Sequence, residues 1–439
     1  MLDTTLANLL DAFLAGSWTE DRLVARAKAA LGRSHRFIRP FVRRVLAAFP
    51  APTHSDRLRV FALADEEFRK GWRRAEPHTA KRFFPVPVMA PHQAARGWLI
   101  PEITTAEKVC EVLRIDRHQL DWLADCAGRN HRESSPKLHH YRYRWIPKPS
   151  GRSRVLEIPK PILKQVQRNV LGQILDAIPP HAAAHGFRIG RSILTNAVPH
   201  SGRAVVLRFD LAIFFSSISA DAVTAIFRTA GYPPDVARQL TGLCTTRLPK
   251  AVWDQRPRPA ADGSDSLEER HLRNRHLPQG APTSPALANL VAFRLDRRLD
   301  GLAKSLDVTY TRYADDLAFS GGIDLTRRSE KFRNAVARIV SEEGFRLNPL
   351  KTRVMPQSVR QTVAGVVVNI RTSIPRAEFD RLKAVLTNCL RHGPESQNRE
   401  AHPNFRAYLA GKLAHVARLN PTRGRKLLAL FDQIRWQSA

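Results

Sequence analysis

The residues Tyr313-Ala314-Asp315-Asp316 constrain this chain more than any other four. They stand between Val308-Thr309-Tyr310-Thr311-Arg312 and Leu317-Ala318-Phe319-Ser320, two β-prone runs that a tight turn would pair as a hairpin. Two adjacent carboxylates then occupy its tip. Neighbouring acids repel, so a fold that holds both there gains most from a divalent cation that neutralises them. An Asp-Asp pair taken alone also suits a solvated turn, so further acids have to decide.

Asp210 is such an acid. It ends the apolar run Val205-Val206-Leu207 and is followed by Leu211-Ala212-Ile213-Phe214-Phe215, which stations a carboxylate at a strand end beside aromatics. Three carboxylates from two elements suit two magnesium ions, one lowering the pKa of an attacking hydroxyl and the other stabilising a departing pyrophosphate. That is polymerase chemistry. The charge balance agrees: 71 Lys and Arg against 40 Asp and Glu leave +31, spread along the chain, as a surface that meets phosphates requires. An arginine-rich proteome would give the same balance, so charge supports the reading without carrying it.

At 439 residues the chain exceeds one hydrophobic core. Residues 1–100 read as a helical N-terminal region, with Leu6, Leu9, Leu10, Phe13 and Leu14 on one amphipathic face that serves as core. A proline-rich boundary runs from Phe84 to Pro101, and a short helical segment spans Leu113 to Ala127. Tyr141 to Ile146, followed by Pro147-Lys148-Pro149-Ser150-Gly151, reads as a basic hairpin. Leu287, Leu290, Val291, Leu295, Leu299 and Leu302 share a helical face, and helix and strand alternate from 200 to 350. The charged stretch 254–275 reads as an exposed insertion loop. After about 375 the chain turns to helices, with Phe379, Leu382, Val385 and Leu386 on one face and basic residues interspersed.

These blocks resemble the bacterial reverse transcriptases, whose palm carries a Tyr-x-Asp-Asp hairpin facing a strand-end Asp. The resemblance runs from about residue 105 to the C-terminus and includes His276 to Pro285, Gly344 to Thr352 and Gly365 to Asn369, in the family's order. Within that superfamily, Thr195-Asn196-Ala197-Val198-Pro199-His200 resembles the Asn-Ala-x-x-His element of retron enzymes, and Leu120 to Asp125 resembles their N-terminal region. The later Val-Thr-Gly element stands here as Val363-Ala364-Gly365.

The resemblance implies an α/β right hand: fingers at 101–196, palm at 197–374 and a basic helical thumb at 375–439, behind the extra N-terminal region. It implies a magnesium-dependent RNA-directed DNA polymerase with Asp210, Asp315 and Asp316 catalytic, and two Mg2+ held by these three with Leu211. Lys148, Arg154, Phe215, Gln279 and Lys351 would meet the incoming dNTP, with the Phe215 ring crowding a 2'-hydroxyl and Lys351 near the pyrophosphate. Asn196, His200, Arg418 and Arg423 would meet RNA, although Asn196 and His200 also suit turn and core positions. The implied partners are a cognate structured non-coding RNA, its DNA copy, joined to it through a guanosine 2'-hydroxyl, and a separate effector protein in antiviral defence.

Other readings stay open. An intron-encoded or defence-associated reverse transcriptase would keep the three aspartates, and a non-catalytic RNA-binding scaffold would keep the fold. Cys110, Cys126, Cys244 and Cys389 show neither disulfide nor zinc spacing, and no apolar run approaches the ~20 residues of a membrane span. A cytoplasmic protein is expected.

Overall fold

A computed structural model describes residues 2–75, 77, 80–83, 86–147, 153–257 and 265–436. By packing the chain forms two compact units, one of residues 1–178 with 219–283 and the other of residues 179–218 with 284–439. Neither unit is one continuous stretch.

The first unit begins with five helices, Leu2–Leu14, Glu20–Leu31, Ile38–Ala48, Ser55–Ala64 and Glu66–Ala75. Leu6, Leu9, Leu10, Phe13 and Leu14 are all buried in their shared core with Phe41, Phe68 and Trp72. The expected amphipathic face is therefore core. Helix Arg117–Ala124 follows helix Ala106–Leu113 and opens on a capping box in which Asp116 and Gln119 satisfy each other's backbone N–H. Strands β1 (Tyr141–Pro147) and β2 (Ser153–Pro159) pair antiparallel, with Tyr141 opposite Pro159 and Pro147 opposite Ser153. Lys148 falls between them, outside the described residues. The stretch expected as an insertion loop contains a helix, Asp265–Arg273, because Leu272 is buried against Val155, Leu248 and Trp253. Residues 258–264 of that stretch lie outside the described residues.

The second unit is built on a four-stranded sheet of β3 (Val205–Asp210), β4 (Thr309–Tyr313), β5 (Asp316–Gly321) and β6 (Arg353–Pro356) in the order β4-β5-β3-β6. The β-branched and aromatic residues of β3 and β5 favour extended backbone, and Val205, Val206, Leu207, Phe209, Leu317 and Phe319 are buried. The expected single helical face from Leu287 to Leu302 divides into helices Ser284–Val291 and Phe293–Lys304. A two-residue turn, Ala364 at φ +46° and Gly365 at φ +83°, joins β7 (Thr362–Val363) to β8 (Val366–Val367). Ala364 thus bears its departure from the family pattern at a hairpin tip. Helices Arg376–His392, Phe405–Leu419 and Pro421–Phe431 then close a core of Leu382, Leu386, Leu409, Leu413, Val416 and Leu427.

Candidate active site

β4 and β5 are joined by a two-residue turn, Ala314-Asp315, with Tyr313 opposite Asp316. Ala314 adopts φ +56°, a left-handed conformation that costs a residue with a Cβ and persists where surroundings over-determine it. Gly186 supplies one such constraint, because a Cβ there would stand 2.6 Å from the Ala314 nitrogen. On the other side β3 pairs with β5 so that Asp210 lies opposite Asp316. The Leu211 N–H donates to the Asp315 carbonyl at 2.9 Å, which carries the β3 end up to the turn. Two strand-end carboxylates, Asp210 and Asp316, and the turn carboxylate Asp315 therefore share one end of the sheet.

Their electrostatics follow from that crowding. Burial raises the Asp315 carboxyl above its ordinary range and the Asp210 charge adds to the rise. Burial also raises Asp316, against the lowering influence of Arg208. Arg208 donates from Nε and Nη2 to the two Asp316 oxygens at 3.1 and 2.7 Å. Lys351 Nζ donates to Asp210 Oδ2 at 2.8 Å. Its segment arrives by backbone pairing, since Asn348 N–H donates to the Asp210 carbonyl and Ala212 N–H to the Arg346 carbonyl, both at 2.7 Å. Asp315 makes no ion pair among the described residues. No trio of His, Cys, Asp or Glu side chains is drawn together at metal-holding geometry among them either. The donor set nonetheless fits divalent ions, because two of the carboxylates already hold protein cations and the third, without an ion pair of its own, is pushed up by burial and the Asp210 charge, which the more distant Lys351 charge only partly offsets.

Phe215 is half-buried, its ring 5.6 Å from Phe214 and 6.2 Å from Phe187, which in turn lies 6.3 Å from Tyr313. The sequence reading missed Phe187, which sits at φ +59° and is 50% exposed. It also missed the charges inside the β-prone runs, Arg208 and Arg312, although a charged residue within such a run is itself a signal that it meets a partner.

Three expected site residues, Asn196, His200 and Arg423, are placed differently. Asn196 and His200 are 1% and 0% exposed, which leaves neither side chain a face for RNA. His200 bridges Ser320 Oγ at 2.7 Å and Thr311 Oγ1 at 2.8 Å, and Thr311 Oγ1 also donates to the Asn196 carbonyl at 3.3 Å. They tie the helix Ile193–Ala197 and the turn after it to β4 and β5, so their role is in the core. Arg423 is half-buried, donates to Ser373 Oγ and the Ile374 carbonyl at 2.9 and 3.1 Å, and stacks 4.9 Å over Phe379, which commits it to the fold. Gln279 is held through its backbone: its N–H faces Glu157 Oε2 at 3.4 Å and its carbonyl accepts from the Glu157 N–H at 2.9 Å. Glu157 also pairs with His276 at 3.0 Å, both 1% exposed, and removing either partner of such a buried pair costs roughly 3–5 kcal/mol. Arg154 on β2 and Arg418 are exposed.

Comparison with known proteins decides what this geometry belongs to. A family model described as "Reverse transcriptase (RNA-dependent DNA polymerase)" matches residues 146–366, which contain all three aspartates. The chain is 39% identical over 363 residues to the Retron Mx65 reverse transcriptase of Myxococcus xanthus, covering 82% of this chain and 80% of that protein. This chain belongs to the retron reverse transcriptases. The Retron Mx162 reverse transcriptase of the same organism is 35% identical over 360 residues, 78% of this chain and 70% of the relative. The Retron Ec86 reverse transcriptase of Escherichia coli is 33% identical over 237 residues, 54% and 65% of the two chains. The enzyme is thus an RNA-directed DNA polymerase on a mixed helix and sheet fold, with RNA as template and deoxynucleoside triphosphates as substrates. Among the described residues no helix is long and apolar enough to cross a membrane.

Proposed function

We propose that this enzyme copies a cognate structured non-coding RNA into DNA, starts from a guanosine 2'-hydroxyl in that RNA, and leaves a branched RNA-DNA hybrid that serves antiviral defence with a separate effector in the cytoplasm. The observation that carries the chemical part is the register of β3 and β5, which sets Asp210 opposite Asp316 with Asp315 at the adjoining turn. Asp210, Asp315 and Asp316, with the backbone of Leu211, would hold two magnesium ions, which would supply activation of the attacking hydroxyl and neutralisation of the departing pyrophosphate. Lys351 leaves Asp210 for the pyrophosphate and offers it a proton. Phe215 lies against the sugar and excludes a 2'-hydroxyl, while Lys148, Arg154 and Gln279 receive the triphosphate and base. Residues 101–196 act as fingers, 197–374 as palm and 375–439 as thumb, with exposed Arg418 on template phosphates.

Membership in the retron reverse transcriptases, together with the family resemblance read in the sequence, motivates the priming step. Its test is direct: nucleic acid that copurifies with the enzyme from its host is treated with a 2'-5' debranching enzyme and resolved by length. Branched DNA that collapses to a linear product is expected. DNA that is linear before treatment overturns the 2'-hydroxyl priming and leaves an unspecialised reverse transcriptase.

A further inference from the structure

Arg312 immediately precedes Tyr313 and is fully buried, a costly place for a charge with no contact to solvent. Its guanidinium is held from several sides. Nε and Nη2 donate to the two oxygens of Asp296, itself 0% exposed, at 2.8 and 2.6 Å. Nη1 donates to Asn289 Oδ1 at 2.9 Å and to the Ala314 carbonyl at 3.0 Å. Tyr310 steadies Asp296 by donating to its Oδ1 at 2.8 Å. The Asn289 amide donates to the Gly186 carbonyl at 2.9 Å, and Gly186 is the residue packed against the Ala314 nitrogen. The guanidinium also lies 5.9 Å over Phe214, on the segment that follows Asp210.

We propose that Arg312 is a positioning residue for the polymerase reaction: its planar fork, locked by Asp296 and Asn289, holds the Ala314 carbonyl and so sets the left-handed turn that aims Asp315 and Asp316. A buried ion pair is weak as a device for stability, since apolar residues of similar volume often replace one without loss. What an apolar pair lacks is direction. Donors fixed in one plane bind the Asp296 carboxylate on one edge and the turn carbonyl on another, a geometry that a single ammonium lacks. Asn289 extends the clamp, because it grips Arg312 with its oxygen and the Gly186 strap with its nitrogen. The turn is thereby held from its carbonyl and its nitrogen sides at once.

This inference rests on the catalytic reading of Asp210, Asp315 and Asp316, and its test separates the two. Arg312→Lys keeps the charge and loses the fork; Asn289→Ala keeps Arg312 and Asp296 and loses the second anchor. Each is compared with wild type and Asp315→Asn for melting temperature, RNA binding, Mn2+ affinity of the protein alone by electron paramagnetic resonance, and extension of an annealed primer. Expected is a loss of extension of roughly a hundredfold in Arg312→Lys, as for a misplacement of about 1 Å, with weakened Mn2+ affinity and RNA binding unchanged in folded protein. Asn289→Ala moves both readouts the same way by less, and decides the matter should Arg312→Lys not fold. Folded variants with wild-type Mn2+ affinity and extension, or losses that vanish on cooling in step with recovered folding, overturn the positioning role. Full extension by Asp315→Asn overturns the catalytic reading instead.

Discussion

Lys351 Nζ lies 2.8 Å from Asp210 Oδ2, across 141 residues of sequence. In that position the ammonium occupies an oxygen that a metal ion would also use, so under the proposed mechanism the side chain would compete with the metal before catalysis and assist during it.

Lys351→Ala therefore separates two quantities. Lys351 is 60% exposed, and an exposed pair of this kind contributes ~0.2–1 kcal/mol, so removing the competitor tightens Mn2+ binding by up to roughly fivefold. Extension falls by roughly a hundredfold, because the leaving pyrophosphate loses its proton donor. Isothermal titration with Mn2+ and single-nucleotide extension read the two separately. Equal weakening of both would mean that Lys351 supports the carboxylates rather than the leaving group.

Phe215→Ala opens space beside the sugar and lowers the preference for dNTP over NTP by roughly ten- to a hundredfold, with Phe215→Val in between. Competitive incorporation on one template measures it. An unchanged preference in an active variant returns the ring to packing against Phe187 and Phe214.

Burial of His200 pushes its pKa down from the ordinary 6.5 to about 3, with the neighbouring His185 and Arg203 charges adding to the fall. The unfolded chain takes up a proton near 6.5 that the folded protein refuses until about 3, so this group's contribution is complete above 6.5 and is lost as pH falls through that window. The slope is roughly 1.4 kcal/mol per pH unit. His200→Gln flattens the pH dependence of denaturant unfolding between pH 6 and 4 by about one proton. His54, His140 and His185, each pushed down to about 4 by burial, contribute to the remaining slope in the same direction. An identical slope in the variant would show that His200 is already protonated in the fold. Because the ring sits under β4 and β5, Asn196→Ala with His200→Ala lowers priming on folded RNA and extension of an annealed primer together.

The chemical centre was legible because carboxylates at strand ends are a local signal: the runs around Asp210 and Asp315 declare both strands and turn. Lys351 came from the resemblance, since nothing within Pro349-Leu350-Lys351 points to Asp210, and only sheet pairing brings it there. Asn196, His200 and Arg423 misled because polarity suggests a surface, whereas the His200 and Arg423 side chains find hydrogen-bond partners inside the fold and Asn196 is buried there, tied in through its backbone carbonyl. The Asp265–Arg273 helix was hidden by its charge, and a single buried leucine, Leu272, anchors it to the interior. Arg312, flanked by β-formers, reads as an outward side chain until its partner Asp296, on a helix 16 residues earlier, is seen to meet it.

The strand order has a consequence for synthesis on the ribosome. β3 lies between β5 and β6, and both are translated after it. At roughly 5–20 residues per second, the stretch from Asp210 to Asp316 takes about 5–20 s to emerge. Throughout that interval Val205-Val206-Leu207 has neither neighbour, so the newborn chain carries an unpaired apolar strand whose edges invite other chains. The residue that ends this strand is Asp210, and its charge, with that of Arg208, interrupts the stickiest part of the segment during the wait. The same two side chains that later face Lys351 and Asp316 are thereby placed as charged breaks in the apolar strand before its neighbours arrive.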